Sequence, residues 1–168
     1  YQPSSLALKD GRVSAGARGA ERLKLAQAAG AHHLGDSDAG GLRAKVRALG
    51  GADVVYDPVG GAAFDPGLRC LKPLGRIIVI GFASGEVPQI RANHLLVKNI
   101  DVIGVYFGGY SGFRPDLLAD SLTTLIGWHS DGRLHPRISH VLPRDQAQRG
   151  LDLLKNRSAT GKVVVALR

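Results

Sequence analysis

Two stretches of this 168-residue chain, Arg76 to Gly81 (RIIVIG) and Ile100 to Val105 (IDVIGV), are aliphatic almost without interruption. A strand wetted on one face alternates polar and apolar residues, so a continuous run asks for cover on both faces. Parallel strands meet that condition, because the helices that connect them lie across the sheet. Ala52 to Tyr56 (ADVVY) is a third strand, rich in β-branched residues and halted at Asp57-Pro58. Between the strands the apolar spacing turns helical. Ala20 to Ala29 is a helix stopped by Gly30, and Leu42 to Leu49 is a second, with Ser37 or Asp38 as N-cap and Gly50 past its end. Phe64, Leu68 and Leu71 form a helical stripe closed by Pro73 and Gly75, and Phe82 to about Asn93 reads as a loop. Pro115 opens a helix carrying Leu118, Leu122 and Leu125, ended by Gly132. A strand from Arg137, a helix from Arg144 and a strand from Lys162 complete the order. With 23 glycines, 8 prolines and only 5% aromatic residues, the composition suits tight turns around an aliphatic α/β core.

Parallel sheets bind ligands beyond the carboxyl ends of their strands. Three turns sit there: Asp57-Pro58-Val59-Gly60-Gly61, Gly81-Phe82-Ala83-Ser84-Gly85 and Tyr106-Phe107-Gly108-Gly109. All are rich in glycine or small residues, which lets a ligand approach the backbone closely. A further candidate is the start of the helix at Ala20, where Arg18 and Arg22 offer guanidiniums beside exposed N–H groups, a setting for a phosphate.

Other chemistries find no support in the residues. The net charge of +8 is dispersed, with no two Lys or Arg adjacent, and its densest cluster, Arg43, Lys45 and Arg47, reads as a solvated helix face. Nucleic acid is therefore not the expected partner. One cysteine, Cys70, rules out a disulfide framework or a Cys-rich zinc site and reads as a buried thiol, so no metal is expected. The sequence holds no Gly-x-Gly, no phosphate-binding Gly-x-x-x-x-Gly-Lys loop, no nucleophile elbow and no His-x-x-x-His pair. No run approaches 18 apolar residues and no leader pattern is visible, so the expectation is a cytoplasmic protein without a membrane span.

Asp53 to Gly61 (DVVYDPVGG) and Leu74 to Gly85 (LGRIIVIGFASG) resemble the cofactor-domain segments of quinone oxidoreductases, the zinc-free branch of the medium-chain dehydrogenase/reductase superfamily. Leu96 to Ile100 (LVKNI), Gly104-Val105-Tyr106 and Ala159 to Val164 (ATGKVV) extend the resemblance from about Gly16 to Leu167. It implies a doubly wound, Rossmann-like sheet with NADPH across its carboxyl edge and a GroES-like domain over the substrate, a quinone or enone reduced by hydride transfer. By position, Val59 and Gly60 would line the adenine or ribose side. Phe82, Ala83 and Ser84 would approach the nicotinamide ribose and amide, and Val105, Tyr106 and Phe107 would border the nicotinamide and the substrate cleft. Arg18 and Arg22 fall where the family meets the 2′-phosphate; a tyrosine some members use there is Ser37 here. Tyr106 is a proton-donor candidate by position alone, and no catalytic residue is assigned.

The resemblance also implies losses. A strand, a glycine-rich loop and a helix would be missing between about Val13 and Ala15, taking with them the first parallel strand and the pyrophosphate cradle. Residues 1–135 would then be an incomplete NADPH-binding domain, and residues 136–168 the segment that completes the GroES-like domain in the family. Three functions follow as alternatives: a truncated NADPH-dependent reductase, a folded non-catalytic remnant, or a basic nucleic-acid-binding module. Relatives join sheets through the strand near Ile100 to Val105, which makes a homodimer the expected assembly.

Overall fold

The computed structural model of the chain describes residues 11–36 and 41–167. Helices and strands alternate as β1 (Ser14–Ala17), α1 (Ala20–Ala28), β2 (His33–Asp36), α2 (Gly41–Ala48), β3 (Ala52–Asp57), α3 (Phe64–Cys70) and β4 (Leu71–Val79). They continue as α4 (Ala92–Leu96), β5 (Asp101–Gly104), α5 (Tyr110–Phe113), α6 (Pro115–Ser130), β6 (Ile138–Pro143), α7 (Ala147–Lys155) and β7 (Lys162–Ala166). The N-cap candidates Ser37 and Asp38 lie outside the described residues. Two compact units divide the chain, one of residues 11–15, 19–34 and 123–167, the other of residues 16–18, 35–36 and 41–122.

In the second unit β3, β4 and β5 form a parallel sheet in that order. Its core is the seam between the sheet and α3. Phe64 and Leu68 from the helix pack with Leu71, Ile77 and Ile100, and Ile77 is fully enclosed. Val55, Val79 and Val102 point to the same seam. The opposite face differs from the expectation of two covered faces: Val54 is 52% exposed, Tyr56 45% and Ile103 37%. A strand that would pair with the free edge of β3 is absent among the described residues, and β1 pairs only with β2.

Further differences trace to local chemistry. Pro73 and Gly75 do not close a helix; α3 ends at Cys70, and both residues lie inside β4. Between the pairs Ala52↔Leu71 and Val54↔Arg76 the register slips, so Lys72–Gly75 bulge out of the ladder with Leu74 at φ 64°. Lys98 steadies the bulge: its carbonyl accepts the Leu74 N–H at 3.0 Å, and its ammonium donates to the Leu71 carbonyl at 2.8 Å. The segment read as a loop from Phe82 runs into α4, which carries His94. Gly108-Gly109-Tyr110 is helical, a 3-10 turn over Phe107–Gly109 leading into α5. On α2 Val46 is buried while Lys45 and Arg47 face solvent.

The first unit has its own small core of Val13, Ala15, Ala26 and Ala31, with Leu34 against it. His32 belongs to it, Nδ1 accepting the Val13 N–H at 3.0 Å. Beyond α6, which buries no residue, β6 and β7 pair in parallel through the crossover helix α7. That crossover is tight at Gly150, where a Cβ would meet Val163 at 3.2 Å and Leu142 at 3.4 Å.

A sheet with one dry face makes unequal demands on its residues. Ile77→Ala is expected to lower unfolding free energy by about 2–5 kcal/mol, whereas Val54→Ala on the exposed face should cost less than about 1 kcal/mol. Urea unfolding of both variants checks the contrast.

Candidate functional site

The carboxyl ends of β3, β4 and β5 stand level. Asp57 is opposite Val79, and Val79 is opposite Gly104, so the three turns that follow leave one edge of the sheet together. The first two are knitted by backbone bonds, with the Ala83 N–H donating to the Pro58 carbonyl at 3.1 Å and the Ser84 N–H to the Val59 carbonyl at 3.0 Å. The third is tied to the second strand by the Val105 N–H, which donates to the Val79 carbonyl at 2.9 Å.

Gly60 and Gly61 make the first knot possible. Gly60 sits at φ 66°, ψ −155°, a region open in practice only to glycine. A Cβ there would lie 2.9 Å from the Glu86 carbonyl oxygen and 2.9 Å from the Phe82 ring. At Gly61 it would meet Ser84 Oγ at 2.8 Å. Asp57 holds this turn from below. Its carboxylate is buried, and Oδ1 accepts the Val59 N–H at 2.8 Å and the Gly60 N–H at 3.1 Å. Its Oδ2 is buried with no hydrogen-bond partner, a desolvation cost that the turn carries. Sequence reasoning missed Asp57 as a site residue. Its signal was present, since Asp-Pro-x-Gly is the pattern of an aspartate bonding the backbone two residues on.

Between the second and third turns lies an open groove of about 560 Å³ lined by Val79, Ile80, Gly81, Phe82, Gly104, Val105, Tyr106, Tyr110 and Phe113. Of the expected residues, Phe82, Val105 and Tyr106 share this groove. Val59, Gly60, Ala83 and Ser84 form the knitted turns beside it, and Phe107 stands half-exposed in the 3-10 turn. Tyr110 and Phe113 are additions; three residues apart on α5, their rings lie 4.8 Å between centroids. Their i, i+3 spacing was the missed signal.

The arginines are placed differently. Arg18 is exposed at the end of β1, and Arg22 in the first turn of α1 donates from Nη2 to the Arg157 carbonyl. Gly19 caps α1 without a side-chain bond, leaving first-turn N–H groups outward. Glu21 in the same turn opposes an anion, so discrimination there falls to the guanidiniums. Ser37 lies outside the described residues.

The residues present fit one end of a dinucleotide. Val59, Phe82, Tyr106 and Phe107 are 39%, 42%, 79% and 47% exposed, a surface of flat rings and small corners suited to a planar heterocycle. The turns' N–H groups at Ala83 and Ser84 are spent internally, and the sequence has no Gly-x-Gly cradle for a pyrophosphate. Among the described residues no three His, Cys, Asp or Glu side chains gather as metal ligands, so they do not fit a zinc ion. Cys70 is buried, its Sγ 3.7 Å from the Arg43 carbonyl oxygen, and burial pushes its thiol up. No helix among the described residues is long and apolar enough to cross a membrane.

Known proteins share this architecture. The zinc-binding dehydrogenase family model matches residues 6–121. A quinone oxidoreductase-like protein 2 homologue from Nematostella vectensis is 38% identical over 154 residues, covering 89% of this chain and 42% of its own length. The quinone oxidoreductase of Thermus thermophilus, solved also with NADPH, superposes with TM-score 0.79 at 29% identity, over 93% of this chain and 50% of that one. An NAD-dependent alcohol dehydrogenase superposes with TM-score 0.84 at 26% identity, over 98% of this chain and 46% of that one. The chain therefore spans about half the length of these relatives. Matched in sequence across its parallel-sheet corners and in fold along nearly all its length, the chain belongs to the zinc-binding dehydrogenase family of oxidoreductases, as a partial cofactor-domain chain akin to the quinone oxidoreductases.

Proposed function

We propose that this chain is the nicotinamide-binding part of an NADPH-dependent reductase of quinones or enones. The observation that carries this reading is the aromatic groove at the level carboxyl edge of β3, β4 and β5, a flat, apolar berth beside turns too tight for side chains. The solved relative with NADPH lends support from the same family. Bound NADPH supplies the hydride. The protein's part is to orient and to exclude water. Phe82 and Val105 wall the ring's berth, and Tyr106, most exposed of the groove's aromatics, stands at its mouth where a substrate carbonyl would enter. Val59 and Gly60 set the adenosine side, and Ala83 and Ser84 approach the nicotinamide ribose. Arg18 and Arg22 at the start of α1 would select the 2′-phosphate.

Calorimetric titration with NADPH tests the reading: saturable micromolar binding supports it, and no heat at millimolar ligand leaves a folded remnant without nucleotide. In the double variant Arg18→Ala/Arg22→Ala, NADPH affinity should fall about tenfold while NADH affinity changes little. Equal loss for both nucleotides removes the 2′-phosphate assignment. Gly60→Ala should strain the first turn by about 1–3 kcal/mol, lowering both the melting temperature and NADPH affinity in the same variant. A second copy is proposed to join along β5, whose outer edge carries no strand among those described. Sedimentation at about twice 17.7 kDa supports that dimer, and sedimentation at the single-chain mass rejects it.

A further inference from the structure

On the α3 side of the same unit, a second cavity of about 270 Å³ is lined by Phe64, Asp65, Leu68, Arg69, Gln89, Arg91 and His94. It shares no lining residue with the aromatic groove. Its floor is apolar and fixed, since Phe64 and Leu68 are each 3% exposed and belong to the core. Its walls are polar and come from three places: α3, the segment after β4, and α4.

The charges within it do not cancel. Arg69 Nε donates to Asp65 Oδ2 at 2.6 Å, so that pair is neutral by itself. The Arg91 guanidinium and the His94 imidazole have no acceptor among the described residues, and Gln89 adds an amide. The Asp65 carboxyl is held below the usual range first by the Arg69 hydrogen bond, and also by the positive charges of Arg69, His94 and Arg43; Arg91 is not among the groups that act on it. A guanidinium with no acceptor among the described residues, lining one cavity with an imidazole and an amide, offers donors to an oxyanion. Planar N–H donors match the oxygens of a phosphate, and a guanidinium is less costly to desolvate than an ammonium. At about 270 Å³ the cavity has about half the volume of the aromatic groove, which favours a small guest.

We infer that this cavity binds the phosphate group of a small phosphorylated molecule, held by Arg91 and His94 with Gln89 and Arg69 at the rim. The site is separate from the proposed nucleotide shelf. Titration of the labelled protein with inorganic phosphate, followed by ¹H–¹⁵N NMR at constant ionic strength, tests it. The expected result is a saturable shift confined to residues 64–69 and 89–94, with affinity about tenfold weaker in Arg91→Gln and in His94→Gln. Arg91 is exposed, so the first variant should fold as the parent does. Shifts spread over the whole basic surface, shifts reproduced by chloride, or unchanged affinity in both variants would overturn the inference. Weaker NADPH binding in Arg91→Gln would overturn it as well, because the cavity would then belong to the cofactor.

Discussion

The rung Asp57–Val79–Gly104 is the constraint on which the candidate site depends. Parallel strands can be staggered by any number of residues, and a slip of one residue turns every side chain to the other face. Here Val55, Ile77 and Val102 must all meet α3, which sets the register. Once it is set, the three strands end on one line and their turns leave together. The hydrophobic seam and the ligand edge are thus two ends of one alignment. The irregularity at Lys72–Gly75 lies at the other end of β4, where it absorbs a mismatch in length without shifting the rung.

Inside the site, order comes from the backbone more than from side chains. The Ala83 and Ser84 N–H groups donate to the Pro58 and Val59 carbonyls, and the Val59 and Gly60 N–H groups donate to Asp57 Oδ1. The turns are rigid for that reason, and they have little hydrogen bonding left to offer a guest. What they offer is shape: bare corners next to exposed rings. Such a surface discriminates by planarity and stacking, which suits a flat ring better than a sugar or phosphate.

Elements whose signal is local could be read from the sequence. The β-branched runs at Val54-Val55 and Ile77 to Val79 and the stripe Phe64, Leu68 specify strand and helix by their own spacing. The corners were legible too, because glycine and proline mark them directly. Burial was not. The sheet as a whole reads as covered on both faces, yet Val54, Tyr56 and Ile103 are exposed, because cover depends on what else the chain supplies and not on the strand itself. The same holds for Pro73: helix-stopping in isolation, it is accommodated in a strand once a bulge releases it from the ladder. Tyr110 and Phe113 escaped notice because the preceding glycines suggested a turn, while pairing of the two rings on one helical turn favours α5.

The excess of positive charge acquires meaning only where its partners are counted. Arg69, Lys72, Arg114 and Arg133 are matched by Asp65, Asp53, Asp116 and Asp131, and these exposed pairs contribute little to stability. Matching leaves the surplus elsewhere, on groups such as Arg91. Across the whole surface a charge of +8 draws anions of every kind toward the protein, an attraction that salt screens within about 10 Å. Selection among those anions requires a fixed concavity as well as charge. An exposed arginine on an open helix face such as α2 attracts without selecting, whereas one that lines the same cavity as Phe64 and Leu68 could hold a guest in a defined geometry.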